Sequence, residues 1–232
     1  MSKHNETRYI TTTRKTAKNN TFIILSAGTG RRTKNYGNKS LIEYENKRVI
    51  DHQINTIKSA YGNSAEIILV TGFDSHKVIS QIDDLRIVEN NSFEQHNILE
   101  SMRIGINTCL ESNIFFIHGD IIFSESFIKP PNQDHIYVPV DTKSKLDRKC
   151  IGVTTTQEKV TNFSYGLYDK WAQIVFFPKH LFKDLKTKLN KLDKNLCSFE
   201  LMNYLIKKGY TISYYECPRG RIKEIKSAKD FL

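Results

Sequence analysis

The stretch that begins at Thr21 and runs through Lys39 constrains this chain most, because it joins an apolar strand to a glycine loop and then to clustered positive charge. Phe22, Ile23, Ile24 and Leu25 carry no polar residue at alternate positions. A strand of that kind is covered on both faces, as in a parallel sheet. Leu25, Ser26 and Ala27 lead into Gly28-Thr29-Gly30, where missing Cβ atoms let the backbone turn tightly and aim N–H groups at an anion. Arg31, Arg32 and Lys39 follow, and their charges suit a triphosphate. Two glycines after a strand also make an ordinary turn. Neither standard phosphate fingerprint is complete, since residues 31–33 interrupt a GxGxxG and no GxxxxGK[ST] occurs.

Beyond the loop, strand and helix signals alternate. Ala65–Thr71, Arg86–Glu89 and Ile114–His118 read as strands, while Val49–Ser59 and Asn97–Leu110 place their apolar residues at helical spacing. This rhythm predicts an α/β fold: a Rossmann-like, mostly parallel mixed sheet with helices on both faces and right-handed crossovers. After Asp120 the segments Ile136–Val140, Lys149–Thr156, Lys159–Phe163 and Gln173–Phe177 read as shorter strands, partly antiparallel. Helices near His180–Leu189 and Phe199–Lys207, a strand at Thr211–Cys217 and a terminal element from Arg221 complete the chain. Residues 1–20 read as a flexible basic tail and 21–232 as a single domain, with a nucleotide-binding half at 21–122 and an acceptor-binding half at 123–232. With strands in the order 3-2-1-4, the loops after the first and fourth meet at the switch point where open α/β sheets bind ligands. That brings Asp120, a candidate ligand for Mg²⁺, to the glycine loop.

Composition narrows the function classes. A net charge of +10 suits phosphate-rich substrates or nucleic acid, and no repeated or aromatic-rich basic segment favours the second. No apolar run reaches the roughly 20 residues that span a bilayer, and the amino terminus lacks a secretory core, so a cytoplasmic protein is expected. Cys109, Cys150, Cys197 and Cys217 have no CxxC spacing, which points to reduced thiols. The sequence does not fix an oligomeric state.

The pattern Leu25-Ser26-Ala27-Gly28-Thr29-Gly30-Arg31, followed by Asn38-Lys39-Ser40-Leu41, resembles the AAGxGxR and PKxL signature of the nucleotidyltransferases that activate phosphorylated metabolites with an NTP. Ser26 replaces the first alanine and Asn38 the proline. Ile67–Val78 resembles the family's I-V-V-T-G-Y block. Asn97 to Met102 resembles a block found in members acting on phosphocholine or aminoethylphosphonate, where a helix amino terminus faces the nucleotide. The resemblance implies a grip on the β- and γ-phosphates by Arg31, stabilisation of the α-phosphate by Lys39, and nucleotide contacts from residues 25–30, Asn97 and Ser101. It also implies Mg²⁺ held by Asp120 and by Glu224, whose neighbour Lys226 departs from the family's I-D-T pattern. Asn97 as a plain helix cap and Glu224 as a plain strand residue stay open.

The reaction so implied is attack of a phosphate or phosphonate oxygen on the α-phosphorus of an NTP, CTP in preference, with loss of pyrophosphate. Tyr165, Asp169 and Lys170, in the polar-aromatic loop 163–171, are candidates for the acceptor's head group. A glycosyltransferase of related fold would carry a D-x-D motif where this chain has His118-Gly119-Asp120. A basic nucleic-acid-binding protein and a catalytically inert relative of the transferases are also compatible with the sequence.

Overall fold

The computed structural model describes residues 18–29, 37–82, 85–143, 148–217, 220–226 and 230. Strand β1 (Asn20–Ser26) is buried along its whole length, because it runs parallel between β4 (Ala65–Thr71) and β6 (Asn113–His118), with Ile24 opposite Leu69 on one side and Ile117 on the other. β5 (Arg86–Glu89) extends the parallel block beyond β4. The small strands β2 (Glu43–Tyr44) and β3 (Lys47–Arg48) form a separate hairpin.

The period of two along β1 divides the core. Ile23 and Leu25 face one cluster, built with Leu99, Met102 and Ile106 of α3 (Ile98–Thr108), Leu185 and Leu189 of α4 (Phe182–Lys191), and Leu201 and Leu205 of α5 (Ser198–Lys207). Phe22 and Ile24 face the other, built with Ile50 and Ile57 of α1 (Val49–Tyr61) and Val78 of α2 (Ser75–Gln81). Helices therefore cover both faces, as the unbroken apolar run of β1 requires.

Among the described residues one sheet of ten strands runs through both halves of the chain. Its order is β11-β9-β10-β13-β8-β12-β6-β1-β4-β5, where β8 is Ile136–Asp141, β9 Ile151–Thr156, β10 Lys159–Tyr165, β11 Asp169–Trp171, β12 Ile174–Phe177 and β13 Ile212–Glu216. The four strands of the first half stand in the 3-2-1-4 order. β12 is antiparallel to β6 and β8, and β13 is parallel to β8, so the second half is mixed as expected. A separate antiparallel ribbon joins β7 (Ile121–Phe123) to β14 (Ile222–Glu224).

Residues 163–171, expected from sequence to be a loop, hold the end of β10, which runs on to Tyr165, and the whole of β11. Asp169–Trp171 pairs with β8 and β9. Three residues are too few to show a period, and what fixes them is Trp171. Its ring packs edge-on to Phe163 and its Nε1 donates to the Ile174 carbonyl at 2.8 Å. The helix expected from His180 begins as α4 at Phe182, preceded by a single 3₁₀ turn at Lys179–Leu181.

Candidate active site

The carboxyl ends of β1 and β6 open into a cleft of about 800 Å³. Its floor is the segment Leu25–Thr29, and its walls include Lys39, Asn97, Ser101, His118 and Asp120. Of the nucleotide-binding residues expected from sequence, Leu25, Ser26, Ala27, Gly28, Thr29, Asn97 and Ser101 all line this cleft. Gly30 and Arg31 lie outside the described residues.

The two glycines that matter most here act differently. A Cβ added to Gly28 would meet nothing within 4 Å, so this glycine answers no internal crowding and leaves room on the cleft side. A Cβ on Gly119 would lie 2.6 Å from Ser26 Cβ and 2.8 Å from the Leu25 carbonyl oxygen. The turn after β6 thus lies directly on the end of β1, and Gly119 N–H donates to the Leu25 carbonyl at 2.9 Å. Asp120 follows at once.

Lys39 begins a 3₁₀ turn, Lys39–Leu41. Its Nζ reaches the Asp120 carboxylate at 2.7 Å, both side chains being about one-fifth exposed. The turn is anchored by Asn38, which is buried. Asn38 Nδ2 donates to the carbonyls of Ser26 (2.9 Å) and Phe73 (2.8 Å), while its Oδ1 accepts from Ser26 Oγ (2.9 Å), Ser40 N–H (3.0 Å) and Ser40 Oγ (2.7 Å). In the sequence Asn38 stands out only as a departure from proline, so this connection is not legible there.

On the opposite wall Asn97 is exposed and caps α3, accepting from Ile98 N–H at 2.8 Å. Its Nδ2 also reaches Cys197 Sγ at 3.1 Å. Ser101 is buried and accepts from Asn90 Nδ2 at 3.0 Å. Asn90 lines the cleft as well, a residue that a lone polar position before a loop gives no reason to select. His118, noticed in the sequence only as the first residue of His-Gly-Asp, is a wall residue too, 3.0 Å from Ser198 Oγ. Burial pushes its imidazole below the usual value, against the opposing pull of the Asp120 and Glu224 charges.

Glu224 arrives through the β7–β14 ribbon. It stands opposite Ile121, the residue after Asp120, and Ile225 N–H donates to the Asp120 carbonyl at 2.8 Å. Lys170 and Lys226 approach its Oε2 at 3.6 and 3.5 Å, yet that oxygen is buried and has no hydrogen-bond partner. Lys226 Nζ also donates to Cys150 Sγ at 2.8 Å. Among the described residues no group of three or more His, Cys, Asp or Glu side chains forms a metal cage. Asp120 lines the cleft, whereas Glu224 is not among the lining residues and its carboxylate lies between two lysines. Mg²⁺ takes one or two carboxylates and completes its shell with substrate phosphates and water, a demand that Asp120 at the cleft suits.

The acceptor candidates separate. Lys170 sits beside Glu224, Asp169 precedes it in β11, and Tyr165 is exposed with its ring edge-on to Phe199. None of the three is among the residues lining the cleft. None of the four cysteines is in a disulfide, and among the described residues no helix is long and apolar enough to cross a membrane.

Solved structures share this architecture. The CTP:phosphocholine cytidylyltransferase of Streptococcus pneumoniae superposes with a TM-score of 0.71 at 16% identity, covering 91% of this chain and 96% of its own. The inositol-1-phosphate CTP transferase of T. maritima gives 0.73 at 16% identity, covering 94% and 93%. A candidate glucose-1-phosphate thymidylyltransferase of Bacillus anthracis gives 0.75 at 17% identity, covering 91% and 92%. These likenesses concern the fold. No curated protein sequence matches the chain. Residues 22–195 match the MobA-like NTP transferase domain, so the glycine loop, the cleft and the sheet that carries them belong to a nucleotidyltransferase of that family.

Proposed function

We propose that this enzyme transfers NMP from an NTP, CTP in preference, to a phosphorylated or phosphonate small molecule in a Mg²⁺-dependent reaction that releases pyrophosphate. Its acceptor belongs to one of three classes: phosphocholine-like molecules, aminoethylphosphonate or sugar 1-phosphates. The observation that carries this reading is the Lys39–Asp120 pair at 2.7 Å beside the Gly28 loop, a cation and a carboxylate brought from distant segments to one rim of one cleft. The solved structures of similar fold include cytidylyl- and thymidylyltransferases, which supports the reaction class without choosing the base. The block from Asn97 to Ser101 tips our choice to CTP.

In this reading the N–H groups of the Gly28 loop and Arg31 hold the phosphate chain, and Asn97 and Ser101 face the nucleoside. Asp120 and Glu224 are the residues that would hold Mg²⁺, which supplies charge neutralisation across the phosphates when bound. The acceptor oxygen attacks the α-phosphorus in line while the bond to the β-phosphate oxygen breaks. A phosphomonoester has its second pKa at about 6, so its oxygen is already ionised near neutral pH and needs no strong base. Lys39 acts on the charge that builds on the α-phosphate oxygens, and its fixed position, rather than proton transfer, lowers the barrier. Lys170 and Asp169 are proposed for the acceptor side, with Tyr165 at its outer edge. We place it in the cytoplasm, where NTPs are supplied.

The test is pyrophosphate release across the four NTPs and the three acceptor classes with Mg²⁺. Turnover in at least one combination is expected, strongest with CTP. Absence of turnover in all of them would overturn the reading.

A further inference from the structure

The two positions at which the signature loop departs from its family pattern are each other's hydrogen-bond partners. Ser26 stands for an alanine and Asn38 for a proline, and Ser26 Oγ donates to Asn38 Oδ1 at 2.9 Å while Asn38 Nδ2 donates back to the Ser26 carbonyl at 2.9 Å. Asn38 is 1% exposed and Ser26 is 7% exposed, so neither group has water as a ready substitute partner. With an alanine at position 26, Asn38 Oδ1 would keep Ser40 N–H and Ser40 Oγ as donors and lose only the bond to position 26. A proline opposite a serine would leave a buried hydroxyl without an acceptor. The serine hydroxyl therefore depends on the asparagine for its acceptor.

Their position gives the pair its consequence. Asn38 immediately precedes Lys39, and its backbone carbonyl accepts from Leu41 N–H at 3.0 Å, closing the turn on which Lys39 rides. Ser26 lies directly under Gly119, which immediately precedes Asp120. One residue of the pair thus holds the segment that presents the ammonium, and the other forms the seat of the turn that presents the carboxylate. Asn38 Nδ2 further ties in the Phe73 carbonyl, and Phe73 N–H donates to Ala27 O at 3.0 Å on the cleft floor. The backbone of Asn38, at φ −66° and ψ 131°, is one that proline also adopts. Its φ alone does not explain the asparagine; the side-chain bonds do.

We infer that Asn38, acting through Ser26, is a positioning residue that holds Lys39 against Asp120 in the geometry the reaction uses. This rests on the nucleotidyl-transfer reading for its kinetic consequence but not for its structural one, which separates the two tests. Without any substrate, the acylation rate of the Lys39 amine by a small amine-reactive ester, read by peptide mass spectrometry, should rise several-fold in Asn38→Ala. With NTP, acceptor and Mg²⁺, the same variant should lose about 10- to 100-fold in kcat while the NTP KM moves by no more than about threefold, because a small misplacement of a transition-state group acts mainly on the chemical step. The pair Ser26→Ala with Asn38→Pro should retain more activity than Asn38→Pro alone, since it removes the stranded hydroxyl. Should Asn38→Ala fail to fold, Ser26→Ala removes one bond to Asn38 and should show the same changes in smaller measure. Unchanged Lys39 labelling in the folded variants would overturn the inference even if the enzyme turns over. Wild-type protein without turnover, with faster Lys39 labelling in Asn38→Ala, would overturn the reaction instead and leave the positioning intact.

Discussion

The Lys39 ammonium and the Asp120 carboxylate meet at 2.7 Å although 81 positions separate them in the chain. The juxtaposition follows from topology. β6 lies beside β1, Gly119 lets the next turn settle on Ser26, and Asn38 ties the Lys39 turn to the same serine. The pair is part-buried, each side chain about one-fifth exposed, so removing one partner costs more than breaking a solvent-exposed ion pair.

Replacing Lys39 by alanine should nonetheless separate activity from folding. We expect kcat to fall about 10²- to 10³-fold, the size usual for loss of one group that stabilises developing charge. The melting temperature should fall by no more than about 12 °C, since removing one partner of a part-buried charged pair costs about 1–3 kcal/mol. Pyrophosphate release and a calorimetric scan on the same preparation decide it. A melt lowered far beyond that, with activity reduced only in proportion to unfolded protein, would make Lys39 a structural residue.

Gly28→Ala tests the floor of the cleft. Since an added Cβ meets nothing within 4 Å, the fold should tolerate it with an unchanged melt. The methyl group enters the space where the phosphate chain is proposed to lie, so the NTP KM should rise about tenfold or more with a smaller effect on the acceptor KM. Equal KM values for wild type and variant would remove the loop from the binding site.

Gly119→Ala should behave in the opposite way. Its Cβ would sit 2.6 Å from Ser26 Cβ and 2.8 Å from a backbone oxygen, and backbone cannot swing aside as a side-chain tip can. Such overpacking costs about 1–3 kcal/mol, and the shift falls on Asp120. Thermal unfolding should drop by several degrees, and activity at a temperature where the variant is fully folded should fall as well.

Glu224 is held by two lysines yet keeps a buried oxygen without a hydrogen bond. If it contributes to Mg²⁺ binding, Glu224→Gln should raise the Mg²⁺ concentration for half-maximal rate about tenfold or more, the lost charge being the main cause. Asp120→Asn should do so more strongly. A Mg²⁺ titration superimposable on wild type, with only a lowered melt, would assign Glu224 to the ion-pair network alone.

What the sequence made legible follows from the length of each signal. The apolar run Phe22–Leu25 announces a central strand, and residues 25–29 mark the cleft floor because glycine after such a strand is a local pattern. The convergence on Asp120 needed only strand order. Residues 163–171 read as a loop because the strand Asp169–Trp171 is three residues long and is fixed by the burial of Trp171, a tertiary effect with no local period. The ribbon that brings Glu224 to Asp120 is equally short. Asn38 was hidden for another reason: its five side-chain bonds among the described residues join Ser26, Ser40 and Phe73, and only a fold shows that these converge.

The acid limb of stability should depend on Glu100, a carboxylate 3% exposed that receives Arg103 Nε at 2.6 Å and a second guanidinium nitrogen on its other oxygen. Those hydrogen bonds hold its carboxyl below the usual carboxylate range despite burial, which acts the other way. A group whose pKa is depressed on folding contributes stability that is present above the unfolded value, about 4.3 for glutamate, and is lost as pH falls through the folded value. Glu100→Gln should thus be less stable than wild type at pH 7, by about 1–3 kcal/mol for a charged hydrogen-bond partner removed from a buried site. The gap should narrow progressively below about pH 4, where the wild-type carboxylate begins to take up its proton. Urea unfolding at pH 7 and at a series of lower values reads both, and a gap that stayed constant with pH would show that Glu100 acts by packing and not by charge.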